Sequence, residues 1–102
     1  MQLTEHIIHT TAKRFRVTPE QIQSPSRRMQ LTDARHIAMF LCRENTNLTD
    51  KAIGAIFNRH YSSVIYGVQR IVQEQKRDER LTRILEILRK EIREGFKEGI
   101  QL

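Results

Sequence analysis

The sequence predicts an all-α fold of about six helices. Apolar residues recur at helical spacing along most of the chain, and no stretch alternates convincingly between apolar and polar over strand length. Helix-start signals, a hydroxyl or acid beside a proline or a second acid, stand ahead of several of these runs.

Leu3, Ile7, Ile8, Thr11/Ala12 and Phe15 give a first amphipathic helix over about 3–14. Thr18-Pro19-Glu20 opens a short second one that ends near Gln23, with a hydroxyl cap, a proline at the first helical position and an acid in the first turn. Ser24-Pro25-Ser26-Arg27-Arg28 reads as a flexible loop. Thr32-Asp33 is predicted to cap a third helix, whose Ala34, Ile37, Ala38, Leu41 and Cys42 form one apolar face, and Asn45-Thr46-Asn47 ends it. Thr49-Asp50 starts a fourth, about 50–57, with Ala52, Ile53 and Ile56 inward. After an Asn58-Arg59-His60 turn, a fifth runs over about 61–76 with Val64, Ile65, Val68, Ile71 and Val72 inward. Gly67 within it costs roughly 1 kcal/mol relative to alanine and points to close approach of another helix. A sixth spans about 78–94 on a stripe of Leu81, Ile84, Leu85, Leu88 and Ile92, with Gly95 and Gly99 expected to fray its end.

The 102 residues carry 18 Lys+Arg against 12 Asp+Glu, a net charge of +6. Residues 1–77 hold 12 basic and 6 acidic side chains and residues 78–102 hold 6 of each, so the whole excess lies in the first three quarters. Such a localised excess attracts polyanions. No apolar run reaches the ~18–20 residues of a bilayer span, and no secretory signal opens the chain. The single cysteine, Cys42, excludes an internal disulfide, fits a reducing cytoplasm and is read as a small core residue. Without a phosphate-cradling GxxxxGK[ST] stretch there is no sign of nucleotide hydrolysis, and no nucleophile stands in a triad-like pattern. No enzymatic activity, cofactor or small-molecule substrate is expected. His6 and His9 lack further ligands at metal spacing, so no metal site is expected and both read as an exposed helix face. Glu86, Glu91, Glu94 and Glu98 alternate with Arg83, Arg89, Lys90, Arg93 and Lys97, which reads as salt-bridged helix surface. Met29, Met39 and Phe40 are expected to pack under the loop or in the core.

The fourth and fifth helices and their short turn have the proportions of a helix–turn–helix. The inward set of the fifth helix leaves Tyr61, Ser62, Ser63, Tyr66, Gln69, Arg70 and Gln73 outward. A recognition helix reads DNA near its N-terminus, where its dipole also suits phosphate, and small polar side chains there can approach base edges. The competing structural readings are a helix cap for Ser62, a packing contact for Tyr61 and a solvated turn for Arg59 and His60.

Ile53-Gly54-Ala55-Ile56-Phe57-Asn58-Arg59-His60-Tyr61-Ser62-Ser63-Val64-Ile65-Tyr66 resembles the signature I-G-x-x-F-[G]-R-D-H-[ST]-T-V-[LI]-[HY] of the C-terminal DNA-binding domain of the bacterial chromosomal replication initiator DnaA. Ala34-Arg35-His36-Ile37-Ala38-Met39-Phe40-Leu41-Cys42-Arg43-Glu44 is similar to the family's R-[QH]-[IV]-A-M-[YA]-L-x-[KR]-E helix. The resemblance covers about residues 3–92, so residues 1–102 read as one domain. It implies sequence-preferring binding of double-stranded DNA, with base contacts from Tyr61, Ser62 and Ser63 in the major groove and Arg27 in the adjacent minor groove. It implies backbone contacts from Arg35, His36, Arg43 and Arg59, to which Arg28, His60 and, more weakly, Arg70 are added. Arg35, His36 and Arg43 lie off the apolar face of the third helix, which leaves them free to meet phosphates.

The sequence departs from the family where His60-Tyr61 replaces Asp-His and Ser62-Ser63 replaces a threonine pair. Losing the threonine methyls removes contacts to thymine methyls, and each altered base contact shifts discrimination by about 1–3 kcal/mol. No ATPase module precedes the matched region in this chain, which reads either as the origin-binding piece of an initiator or as a free-standing relative. Met1 directly before the first helix fits the second. The rival class is a helical protein-interaction module without duplex binding, with Phe96 and Ile100 on the last helix as a surface for a partner or for weak self-association. RNA is the poorer fit, since no stacked-aromatic sheet motif is present.

Overall fold

The helix that organises the molecule is the third, because four others wrap it. The computed structural model describes residues 2–99. The described elements are α1 (Leu3–Phe15), α2 (Pro19–Ile22), α3 (Met29–Asn45), α4 (Asp50–Ile56), α5 (Tyr61–Gln75) and α6 (Glu79–Gly99). α1, α2, α4 and α5 all pack on α3, α6 lies along α1, and α4 packs on α5. Every residue from Ala34 to Cys42 is therefore buried, not just one face. Leu41, Met39, Ile53, Phe57, Val64, Leu85 and Leu88 are fully enclosed.

Local chemistry explains most element boundaries. Thr18 and Gln21 cap α2 reciprocally, each side chain bonding the other's backbone N–H at 2.9 and 3.0 Å, with Pro19 in the first turn. Thr49 Oγ1 accepts from Ala52 N–H at the start of α4. Asp78 accepts from the N–H groups of Arg80 and Leu81 ahead of α6. α1 stops at Arg16, which is left-handed (φ 57°) and lets Val17 N–H reach back to Ala12 O at 3.0 Å.

Several expectations are corrected here. α3 begins at Met29, a turn before Thr32-Asp33, with Thr32 N–H bonded to Arg28 O; the earlier turn buries Leu31 and brings Asp33 to Arg70. α6 does not fray at Gly95. A Cβ there would stand 2.7 Å from His6 Cε1, so this glycine lets the imidazole of α1 lie against α6. His6 is correspondingly no exposed side chain: its Nε2 meets Ile92 O at 3.1 Å and its ring faces Phe96 at 6.1 Å. Phe96 is thus half-buried against its own fold, and Ile100 lies outside the described residues. The methionines divide, with Met39 buried and Met29 exposed on the first turn of α3, while Phe40 is buried. On α6, Arg89 pairs across to Glu44 on α3 at 2.7 Å over the Phe40 ring, and Arg83 meets Glu79 only at 3.9 Å. No helix among the described residues is long and apolar enough to cross a membrane.

Candidate nucleic-acid interface

α4 and α5 are joined by a turn that depends on two residues. Asn58 takes a left-handed conformation (φ 56°), tolerated by asparagine better than by most side chains. Gly54 lies so close to the turn that a Cβ would fall 2.6 Å from Arg59 O, and its own carbonyl accepts from Arg59 N–H at 2.8 Å. The turn folds back over buried Phe57 and delivers α5 with its N-terminus outward.

His60, not Ser62, is the cap of α5. Its Nδ1 accepts from Ser62 N–H at 3.2 Å and lies 2.9 Å from Ser62 Oγ. Tyr61 is half exposed with its ring 4.3 Å from the His60 ring, so it is no contact of the core. The inward face of α5 is Val64, Gly67 and Ile71, with Val68 and Val72 half-buried against the core as expected, while Ile65 is turned out. A Cβ at Gly67 would stand 2.7 Å from His36 Cδ2, so the glycine leaves room for the imidazole of α3. The close approach expected of Gly67 is thus present.

Beside this N-terminus runs a groove of about 720 Å³. α5 contributes Ser62, Ser63 and Tyr66, the loop contributes Pro25 and Arg27, and the turn contributes Arg59. Thr32, Arg35, His36 and Met39 of α3 form its floor. Three arginines and no carboxylate line it among the described residues. Six of the predicted site residues are therefore gathered at one place. Thr32, Pro25 and Tyr66 were not among them; Thr32 is one turn before Arg35 and Tyr66 one turn after Ser62, so helical spacing alone could have found both.

The expectation that Arg35 and His36 stand free is corrected. Arg35 is 3% exposed, with Nε donating to Ile22 O at 2.6 Å and Nη2 to Ser24 O at 3.0 Å. Burial and the charge of Arg59 lower its pKa to about 10, so it stays charged at neutral pH. Arg59 donates to the same Ser24 carbonyl at 2.9 Å. The loop is not slack either. Ser24 Oγ donates to Gln21 O and accepts from Ser26 N–H, and Ser26 Oγ accepts from Arg28 N–H, hydroxyl-closed steps that carry Arg27 forward. Arg27 and Arg28 are exposed at its end.

His36 is a neutral groove residue. Burial first, then the charges of Arg70 and Arg35, push its ring down to about 4, against smaller opposing effects of Asp33 and Glu74. Arg70 donates to its Nδ1 at 3.0 Å, which leaves the ring hydrogen on Nε2. An unfolded ring titrates near ~6.5, so between ~6.5 and about 4 the unfolded chain binds more protons. The stabilisation is complete above that window and is lost as pH falls through it. We expect denaturant stability to drop by about 1–3 kcal/mol more across the window in the wild type than in His36→Gln. Equal acid sensitivity of the two would contradict this assignment.

Two predicted backbone contacts are held by local acids. Arg70 pairs with Asp33 and Glu74, each at 2.7 Å, and Arg43 pairs with Asp50. Neither lines the groove. Burial raises the Cys42 thiol to about 12, consistent with an inert core residue.

The family model for the bacterial DnaA protein helix–turn–helix matches residues 4–71. The chromosomal replication initiator protein DnaA of Oleidesulfovibrio alaskensis is 40% identical over 77 residues, which are 76% of this chain and 17% of the relative. DnaA 1 of Chlamydia trachomatis is 31% identical over 94 residues, 89% of this chain and 21% of the relative. DnaA of Clavibacter sepedonicus is 41% identical over 71 residues, 69% of this chain and 15% of the relative. The chain spans about a fifth or less of the length of these relatives. A six-helix fold, a turn closed on Gly54, an outward α5 N-terminus beside an arginine groove, and a match across two thirds of the sequence together place this chain in the bacterial DnaA family, as its DNA-binding helix–turn–helix domain.

Proposed function

We propose that residues 1–102 act as one non-catalytic domain that binds double-stranded DNA with sequence preference, in the manner of the origin-binding part of a replication initiator and in the cytoplasm. The observation that carries this is the groove, which Ser62 and Ser63 at the positive end of a helix line together with Arg27, Arg35 and Arg59, with no carboxylate among its described lining residues. Tyr61, Ser62 and Ser63 approach base edges in a major groove, and Arg27 reaches the neighbouring minor groove, whose negative potential is greatest where it is narrow. Arg28 and Arg59 meet phosphates by charge, and His36 offers a neutral Nε2–H in place of a charge. Arg35 supports this surface from below more than it touches DNA. Arg43 and Arg70 serve the backbone only by giving up their carboxylate partners, and His60 acts chiefly as the helix cap.

The test is a salt titration of duplex affinity. With Arg28, Arg59 and Arg27 neutralising about two to three phosphates, log K against log[salt] should slope near −2 to −3, at ~0.9 per phosphate. In the same assay Ser63→Ala should change preference among duplexes by about 1–3 kcal/mol, whereas Arg28→Ala should weaken all duplexes alike. A slope near zero, or identical effects of the two substitutions on specific and random duplexes, would contradict the proposal.

A further inference from the structure

The segment that leads to Arg27 and the turn that leads to α5 are laced together by side chains. Gln23 Nε2 donates to Ile56 O at 2.7 Å. Asn58 Nδ2 donates back to Gln23 O at 3.2 Å. Arg59 and Arg35 both close on Ser24 O, as described above. Every one of these bonds ends on a main-chain carbonyl, so what they hold is backbone geometry. Gln23 and Asn58 are uncharged and neither lines the groove. Nothing about direct DNA contact accounts for them.

We infer that Gln23 and Asn58 are positioning residues that fix the reach of Arg27 relative to Ser62 and Ser63, so that the minor-groove and major-groove contacts are read in a single register along the duplex. The inference rests on the function proposed above. Its physical basis is preorganisation. A loosely tethered Arg27 would keep its charge and still find phosphate or groove, but it would sample several base steps and pay ordering entropy on binding to any one of them. Two reading groups held at one separation accept only sites in which both base sets occur at that separation. The lacing should therefore act on preference and leave the electrostatic component of affinity unchanged.

The experiment uses the double variant Gln23→Ala, Asn58→Gly, the glycine chosen because it keeps the left-handed turn available while removing the amide. Binding to a random duplex library is compared for wild type, the double variant and Arg27→Ala, with a salt titration of each. Arg27→Ala marks the base pairs that this arginine reads. At those base pairs the double variant should lose about fivefold or more of the discrimination, while preference elsewhere in the site and the salt slope stay as in wild type. Retained wild-type preference at those base pairs would overturn the inference, and so would an even loss across the whole site, which a merely loosened fold produces. If the double variant does not fold, Gln23→Ala alone is judged by the same criteria. If Arg27→Ala itself changes no preference, the reading of Arg27 as a base contact fails first. That outcome is distinct from the one in which Arg27 matters and the lacing does not.

Discussion

Arg35→Ala is expected to lose about 2–4 kcal/mol of folding stability, a large effect for a residue that reads as surface charge in the sequence. The side chain is 3% exposed and satisfies two carbonyls, Ile22 O and Ser24 O, at 2.6 and 3.0 Å. Truncation unpairs Ile22 O, leaves Ser24 O to Arg59 alone and opens a void between α2, α3 and the loop. Its own desolvation, visible in the lowered pKa, returns part of that loss and keeps the figure from being larger. Arg35→Lys keeps the charge but not the two-pronged donor, so it should lose most of the same stability. The measurement is the denaturant midpoint at constant slope. Unchanged stability in both variants, with weaker DNA binding only in Arg35→Ala, would show a phosphate contact and no structural role.

Gly54→Ala is the second large effect. Alanine is the better helix former by about 1 kcal/mol, so an isolated helix would gain. Here the added Cβ would meet Arg59 O at 2.6 Å and His60 C and Tyr61 N at 3.4 Å, all main-chain atoms that cannot rotate aside. The turn must shift, at an overpacking cost of about 1–3 kcal/mol. Because the shift moves the first residues of α5, affinity for a preferred duplex should fall by about tenfold or more, with a smaller loss on random sequence. Stability equal to wild type with undiminished preference would show that the turn is not set by this contact.

The two residues illustrate where the sequence is readable and where it is not. α1, α2, α4 and α6 follow from stripes and caps that lie within a few residues of one another, such as Thr18 with Pro19 and Glu20 or Leu81 through Ile92. The grouping of Ser62 and Ser63 is legible because both sit at one helix end, whereas Arg27 enters the candidate interface only through the family resemblance. The environment of α3 did not, because counting apolar residues finds one face, whereas burial on the remaining sides comes from helices distant in sequence. Arg35 and His36 are polar residues buried against such neighbours, the first saturated by carbonyls of α2 and the loop, the second covered by Gly67, Tyr66 and Arg70. A stripe that counts only apolar side chains places Ile65 inward and gives no weight to Gly67, which lies against the His36 ring of α3. Gly95 looked like a helix end for the same reason. His60 escaped notice as a cap because an imidazole seldom has that role, and its bond to Ser62 N–H depends on a ring orientation that no spacing rule supplies.

If the proposed function holds, the N-terminus of α5 and the Arg27 loop together form the surface that meets the duplex. The most direct measurement is residue-by-residue mapping of backbone amide shifts as the protein is titrated with a duplex selected from a random library. The largest changes should fall at Tyr61, Ser62, Ser63 and Arg27, with smaller ones at Arg28 and Arg59 and little along the exposed face of α6. Changes concentrated on α1 or α6, with Ser62, Ser63 and Arg27 unmoved at saturation, would contradict the account.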